Sequence, residues 1–217
     1  MTNRLRILIT GFQAFPGAPF NPTPRLVERL MQLRRPALAD VERIAHIFPV
    51  TYAAVDAQLP DLIARHRPDA LLMFGLAART PFLRIETRAR NAITTLWPDD
   101  EGRRAKRLDK IAPGGAAATL FGPHTTQLLK AAQDSGVWAV SSRDAGRYLC
   151  NYLSWRAIEC VAHNGGPRLA AFIHVPLVPR DAAHARSRQR HVTFEQMVDA
   201  GEAILMETIR QTRRVPE

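Results

Sequence analysis

Short apolar runs alternate with longer amphipathic stretches along this chain, and the alternation limits the folds open to it more than any other feature. Each run has the length of a strand, and each stretch repeats its apolar residues at helical spacing. The runs predict strands at 6–10, 41–50, 70–74, 137–140 and 169–175, and the stretches predict helices at 25–33, 53–65, 125–133, 146–161 and 193–211. Strands that alternate with helices predict an α/β fold, a single-domain three-layer α/β/α sandwich with a twisted, mostly parallel central sheet.

Length and composition predict one domain that spans residues 1–217, with a polar surface excursion at 98–122. Hydrophobic residues form 46% of the chain and charged residues 23%, which suffices for a sizeable core. No apolar run reaches the roughly 18 residues of a membrane-spanning helix, and the N-terminus lacks the apolar segment of a signal peptide. Two cysteines provide no disulfide framework. The sequence therefore predicts a cytoplasmic protein without a membrane partner.

The strongly basic charge raises the question of nucleic-acid binding. The formal net charge is +10, and all but three of the 30 basic residues are arginine. They are scattered along the chain, with no zinc-finger, basic-zipper or RNA-recognition sequence beside them. An arginine-rich solvated surface is the favoured interpretation, and nucleic-acid binding is the weakest of the functional hypotheses.

Cys150 is a candidate nucleophile because it falls early in the predicted helix 146–161. The positive end of a helix dipole and its unpaired amides favour a thiolate over a thiol. Position alone supports the alternative, a small buried residue, at least as well. Cys160 lies about three turns further along the same helix, lacks this setting, and is assigned to the core.

Two further residues could act together with this cysteine. His174 ends a predicted strand, where its side chain would reach the crevice at the carboxyl edge of the sheet, although a lone histidine there is more often structural. Glu86 follows another strand, and its alternatives are surface solvation or an ion pair with Arg84, Arg88 or Arg90. A thiol, an imidazole and an acid near strand ends form the set that nucleophilic acyl transfer requires.

Four ordered motifs resemble the pyroglutamyl peptidase I family, the cysteine peptidases (pyrrolidone-carboxylate peptidases) that remove N-terminal pyroglutamate. ILITGFQAFPG, followed by FNPT, is similar to the first strand, loop and turn of that family. GLAARTPFLRIETRARN, DAGRYLCNYL and FIHVPLVP are similar to its glutamate, cysteine and histidine motifs. The resemblance covers about residues 5–210, and it implies Cys150 as the nucleophile, His174 as the base and Glu86 as the acid that orients the base.

The same resemblance implies where the substrate binds. The implied substrate-binding residues are Phe12, Phe15, Asn21, Tyr148, Leu149, Leu76 and Leu96. Leu76 and Leu96 stand where the family has glutamine and arginine. Neither leucine can donate a hydrogen bond to a developing oxyanion or to a lactam, so the polar support around the triad is thinner than in the family.

The function that the resemblance implies is hydrolysis of the pyroglutamyl bond of N-terminal pyroglutamyl peptides through a Cys150 acyl-enzyme. It implies no cofactor and no metal, and it implies a homotetramer or a homodimer. Two alternatives stay open on the sequence. One is a relative with the same triad that acts on another small amide or acyl substrate, and the other is a binding homologue with weak or no catalysis.

Overall fold

The computed structural model describes residues 4–15, 18–104, 110–163, 165–178 and 192–215. The strands are, in chain order, β1 (Leu5–Phe12), β2 (Val41–Phe48), β3 (Ala70–Leu76), β4 (Leu83–Glu86), β5 (Arg88–Arg90), β6 (Ala118–Leu120), β7 (Ala139–Ser142) and β8 (Leu169–Val175). The helices are α1 (Thr23–Gln32), α2 (Tyr52–His66), α3 (His124–Asp134), α4 (Leu149–Ala162) and α5 (Phe194–Arg214). Within these described ranges, no helix is both long and apolar enough to cross a membrane.

Six of the strands form one sheet in the order β2-β1-β3-β8-β4-β7, and β5 pairs with β6 in a separate two-stranded sheet. Every pairing in the large sheet is parallel except that of β4 with β8, which is antiparallel. The register places Arg84 of β4 opposite His174 of β8, and His174 opposite Gly75 of β3. These three residues form a row across the sheet, and residues in such a row share one face.

Helices cover both faces of the large sheet. On one face, α1, α3 and α5 contribute residues such as Leu26 and Ile204 to a buried core. On the other face, α2 and α4 contribute residues such as Val55 and Leu153 to a second core. The three layers and the mostly parallel sheet confirm the predicted fold class.

The start of α4 differs from the sequence prediction in a way that matters for the site. The predicted helix begins at Gly146. This glycine has a φ of +81°, a left-handed conformation that occurs in turns and not inside a right-handed helix. Tyr148 is extended, with φ −109 and ψ −157, so the helix begins at Leu149. Cys150 is therefore the second residue of α4 and lies closer to the helix N-terminus than predicted.

Three short strands, β4, β5 and β6, are missing from the sequence prediction. Each has four residues or fewer and mixes charged or polar side chains with apolar ones, so no apolar run marks it. β6 lies inside the predicted surface excursion at 98–122. Part of that stretch is tied to β5 by Asn91, whose side chain donates to the Ala112 carbonyl (2.7 Å) and accepts from the Ala112 N–H (2.9 Å).

Candidate active site

Cys150 occupies the first turn of α4. The first hydrogen bond of the helix joins the N–H of Tyr152 to the carbonyl of Tyr148 (2.9 Å), so the amides before it, including that of Cys150, have no partner inside the helix. The positive end of the helix dipole lies at the same place, and both features favour the thiolate. Cys150 is half-buried.

His174 and Glu86 form a buried hydrogen-bonded pair beneath this cysteine. Nδ1 of His174 lies 2.7 Å from Oε1 of Glu86, and because an ionised carboxylate only accepts, the imidazole donates through Nδ1. Glu86 is fully buried and His174 nearly so. The imidazole is also hydrogen-bonded to the Cys150 side chain, which leaves its other nitrogen, Nε2, to serve the sulfur.

The antiparallel pairing of β4 with β8 explains how the acid reaches the histidine. Arg84 lies opposite His174, so Glu86, two residues further along β4, lies diagonally across from it on the same face. The ring of Phe172 packs edge-on against the imidazole on this face, with ring centroids 5.0 Å apart. The acid is the last residue of β4 and lies on the sheet face under α4.

Gly75 leaves the space that the sulfur needs. A Cβ at this position would lie 2.8 Å from Sγ of Cys150 and 2.7 Å from Cζ of Phe172. Real Cβ atoms do not approach other heavy atoms this closely, so any other residue would displace the thiol or the ring. The glycine is required by this close approach and not by its backbone conformation.

We expect Gly75→Ala to lower kcat/KM about 10²-fold, because a displacement of the nucleophile of about 1 Å has that effect. Overpacking against the buried Phe172 ring should also lower the free energy of unfolding by about 1–3 kcal/mol. Gly201→Ala is the control, since its Cβ would crowd only the flexible side chains of Leu26 and Leu30 in the other core. Steady-state kinetics and urea unfolding measure both effects, and a fully active Gly75→Ala enzyme would contradict the packing argument.

Electrostatics favour a charged imidazole at this site. Burial on its own lowers the pKa of His174, but the charge of Cys150 and the hydrogen bonds to Cys150 and Glu86 outweigh burial and raise the pKa to about 9. An imidazolium that persists at neutral pH stabilises the thiolate beside it. The arrangement can therefore supply a thiolate nucleophile and a proton donor within one hydrogen-bonded unit.

The residues implied to bind substrate fall into two groups by exposure. Phe15 and Tyr148 are half-buried neighbours with ring centroids 6.3 Å apart, and the Tyr148 hydroxyl donates to the Pro98 carbonyl (2.9 Å). Phe12 and Leu149 are buried in the core below them, with exposed fractions of 3% and 1%. The accessible aromatic surface near the nucleophile thus comes from Phe15 and Tyr148.

The other three implied residues have different surroundings. Asn21 donates to the carbonyls of Phe12 (2.9 Å) and Gln13 (3.2 Å) and accepts from the backbone, so its side chain holds the loop after β1. Leu76 ends β3 and is half-buried. Leu96 is 74% exposed, in a segment that the N–H of Thr94 ties to the carbonyl of Arg147 (2.6 Å).

Two residues that the sequence analysis did not place in the site also hold it together. Asn151 is fully buried, and its side chain accepts from the Arg90 N–H (2.7 Å) and donates to the carbonyls of Arg90 (2.8 Å) and Ala92 (3.0 Å), which fixes the first turn of α4 against β5. Arg84 forms an ion pair with Glu86 (2.9 Å). The sequence offered Arg84 only as one of three candidate partners for that acid.

Comparison with known proteins places the chain in a family. The sequence model of the pyroglutamyl peptidase family matches residues 5–211. The pyrrolidone-carboxylate peptidase of Pyrococcus furiosus is 31% identical over 175 residues, which cover 81% of this chain and 82% of that protein. That of Thermococcus onnurineus is 30% identical over 208 residues, covering 95% of this chain and 100% of that protein.

Solved structures agree with the sequence comparison. A mutant pyrrolidone carboxyl peptidase from Pyrococcus furiosus superimposes with a TM-score of 0.84 at 26% identity, covering 95% of this chain and 99% of that one. Because the family model extends over nearly all of the chain and the relatives match across most of their own length, this chain belongs to the pyroglutamyl peptidase family.

Proposed function

We propose that this protein is a cysteine peptidase that hydrolyses the N-terminal pyroglutamyl bond of peptides, with Cys150 as nucleophile, His174 as acid and base, and Glu86 as the residue that orients the imidazole. The observation that carries the proposal is the meeting of these three side chains, from α4, β8 and β4, in one hydrogen-bonded unit. Membership of the family selects pyroglutamyl peptides as the substrate class.

In the first half of the reaction, the Cys150 thiolate attacks the carbonyl carbon of the pyroglutamyl residue and forms a C–S bond. The carbonyl electrons move to oxygen, where unpaired amides of the first turn of α4 can donate hydrogen bonds. The tetrahedral intermediate then collapses. The C–N bond breaks, the His174 imidazolium gives its proton to the leaving amine, and the shortened peptide departs from a thioester.

In the second half, water hydrolyses the thioester. Neutral His174 takes a proton from the water as its oxygen attacks the carbonyl carbon, and the C–S bond breaks to release pyroglutamate and restore the thiolate–imidazolium pair. Glu86 keeps Nδ1 occupied throughout, so the proton always moves through Nε2. Leu76 and Leu96 have no side-chain donor, and stabilisation of the oxyanion therefore depends on the backbone amides.

The test is hydrolysis of a fluorogenic pyroglutamyl amide compared with the matching prolyl amide, which has the same ring but no lactam carbonyl. The pyroglutamyl amide should be hydrolysed and the prolyl amide should not, and iodoacetamide should abolish the activity. Mass spectrometry then locates the alkylated residue. Hydrolysis of both amides at similar rates would overturn the substrate class, and activity that survives alkylation of Cys150 would overturn the nucleophile.

The pH dependence of this reaction should reveal the raised pKa of His174. The pKa of about 9 lies above the ordinary value of 6.5, so the imidazolium is present at neutral pH and is lost as the pH rises through about 9. Because the leaving amine needs that proton, kcat/KM should fall above about pH 9. A profile measured from neutral pH to about pH 10 checks this, and a fall centred near pH 7 would contradict the assignment.

Assembly and compartment remain expectations within this proposal. We expect a homotetramer or a homodimer, and the exposed side chains of Leu120 and Trp138 offer apolar surface to a second copy. Sedimentation velocity distinguishes the two states from a monomer. The cytoplasm is the expected compartment, since both cysteines are free thiols.

A further inference from the structure

Arg84 shares one carboxylate oxygen with His174. Its Nη2 lies 2.9 Å from Oε1 of Glu86, the same atom that accepts from Nδ1 of His174 at 2.7 Å. The second oxygen, Oε2, is buried without a hydrogen-bond partner among the described residues. A guanidinium and an imidazole therefore converge on a single buried oxygen atom, and the orientation of that carboxylate depends on both.

The same guanidinium also binds the segment that leads into α4. Nε and Nη2 of Arg84 donate to the Ser142 hydroxyl (3.2 and 2.9 Å), and Nη2 also donates to the carbonyl of Asp144. Residues 143–148 connect β7, which ends at Ser142, to α4, whose second residue is Cys150. The Arg84 side chain is 19% exposed, so its bonds to Ser142 are partly shielded from water, whereas its bond to Asp144 lies at the surface.

Two neighbouring arginines touch the same segment without touching the acid. Nε of Arg88 donates to the carbonyl of Arg143 (2.8 Å), and Nη2 of Arg90 pairs with Oδ2 of Asp144 (3.2 Å). Holding the segment is thus a function shared by several arginines. The contact with Glu86 distinguishes Arg84 from Arg88 and Arg90.

We propose that Arg84 is a positioning residue of the catalytic unit, which fixes the carboxylate of Glu86 beneath His174 and ties it to the segment that carries Cys150. This inference rests on the proposed function and goes further, because it gives a reaction role to a residue outside the triad. The role is exerted through Glu86 and His174, and Arg84 itself touches no reacting atom.

A like charge beside the imidazolium has a measurable consequence. His174 is hydrogen-bonded to the Cys150 side chain from α4 and to Glu86 from β4, and Arg84 of β4 lies opposite it and binds the same carboxylate oxygen. Asp144, whose carbonyl accepts from Arg84, has its carboxylate paired with Arg90. Among these, Arg84 alone disfavours the imidazolium. Removing the Arg84 charge should therefore raise the pKa of His174, while the loss of its bond to Oε1 leaves the Glu86 carboxylate less firmly oriented and lowers kcat.

The experiment compares Arg84→Met, which removes the charge and the donors, with Arg84→Lys, which keeps the charge, and with Arg88→Met as matched control. Two readouts are used: the basic limb of kcat/KM, and the titration of His174 followed by NMR with labelled histidine. Arg84→Met should move the basic limb of kcat/KM and the midpoint of the His174 titration upward by about one pH unit. It should also lower kcat about tenfold with little change in KM. Arg84→Lys should leave the titration in place, and Arg88→Met should change neither.

A purely structural Arg84 would give a different result. Loss of thermal stability in Arg84→Met with an unmoved His174 titration would overturn the inference, and so would an equal shift in Arg88→Met. Arg84→Gln replaces the methionine variant if that protein does not fold, and its titration is judged in the same way. If the pyroglutamyl amide is not hydrolysed at all but the NMR shift occurs, the proposed function fails while the role of Arg84 stands.

Discussion

Cys150→Ala is expected to lower kcat/KM for a pyroglutamyl amide by at least about 10⁴-fold, because alanine cannot form the acyl-enzyme. The substitution removes only a half-buried sulfur, so the fold should remain intact. Circular dichroism and urea unfolding would verify the fold, and kinetics would measure the loss. The expected result is an inactive protein with a stability close to that of the unsubstituted chain.

Cys160→Ala is the matched control on the same helix. Cys160 was predicted to lie in the core, and the structure finds it half-buried at the edge of the core under α4. Burial raises the pKa of its thiol, which keeps it protonated and unreactive at neutral pH. Cys160→Ala should therefore keep full activity. Faster alkylation of Cys160 than of Cys150 in the native protein would show that the nucleophile is misassigned.

His174→Ala should lower kcat/KM by about 10³ to 10⁴-fold, since one imidazole both stabilises the thiolate and transfers the proton in each half of the reaction. Because Cys150 and His174 act as a unit, the double variant should be about as slow as either single variant. Losses that multiply in the double variant would indicate that the two side chains act independently, which would contradict a shared hydrogen-bonded unit.

His124→Ala is the control for removal of a partly buried histidine. Nε2 of His124 bonds the carbonyl of Ala170 in β8 (2.9 Å), and burial lowers its pKa, so it is a neutral structural residue beside the same strand. Its loss should reduce the free energy of unfolding by about 1–3 kcal/mol while kcat/KM stays within about twofold. An equal loss of activity in His124→Ala would mean that the effect of His174→Ala is structural.

Much of the fold could be predicted from the sequence because its strands are strong local signals. The run at 169–175 is apolar apart from His174 and coincides with β8, and the helices follow from apolar spacing. β4 gave no such signal, because its four residues alternate apolar with charged side chains and form no apolar run. Their sequence also does not indicate whether the strand pairs in a parallel or an antiparallel direction. Parallel and antiparallel pairing depend on tertiary connections, which a strand of this length cannot encode.

The candidate site was predictable to the extent that its features are local. A cysteine near a helix start, a histidine at a strand end and an acid after a strand are visible in the sequence, and the family motif favoured the catalytic role of Glu86 over its alternatives. The pairing of Glu86 with His174 and Arg84 depends on the antiparallel register of β4, so its geometry could not be predicted. The space beside Gly75 likewise depends on three elements that meet only in the folded chain.

The spacing of the two cysteines has a consequence for oxidative damage. Cys150 and Cys160 are ten positions apart on one helix, which separates them by about 15 Å along its axis, whereas a disulfide needs Cα atoms within about 7 Å. An oxidant that converts the Cys150 thiolate to a sulfenic acid therefore meets no second thiol of this chain that could condense with it. Recovery has to come from an external thiol such as glutathione, and without one a second oxidation to the sulfinic acid is irreversible.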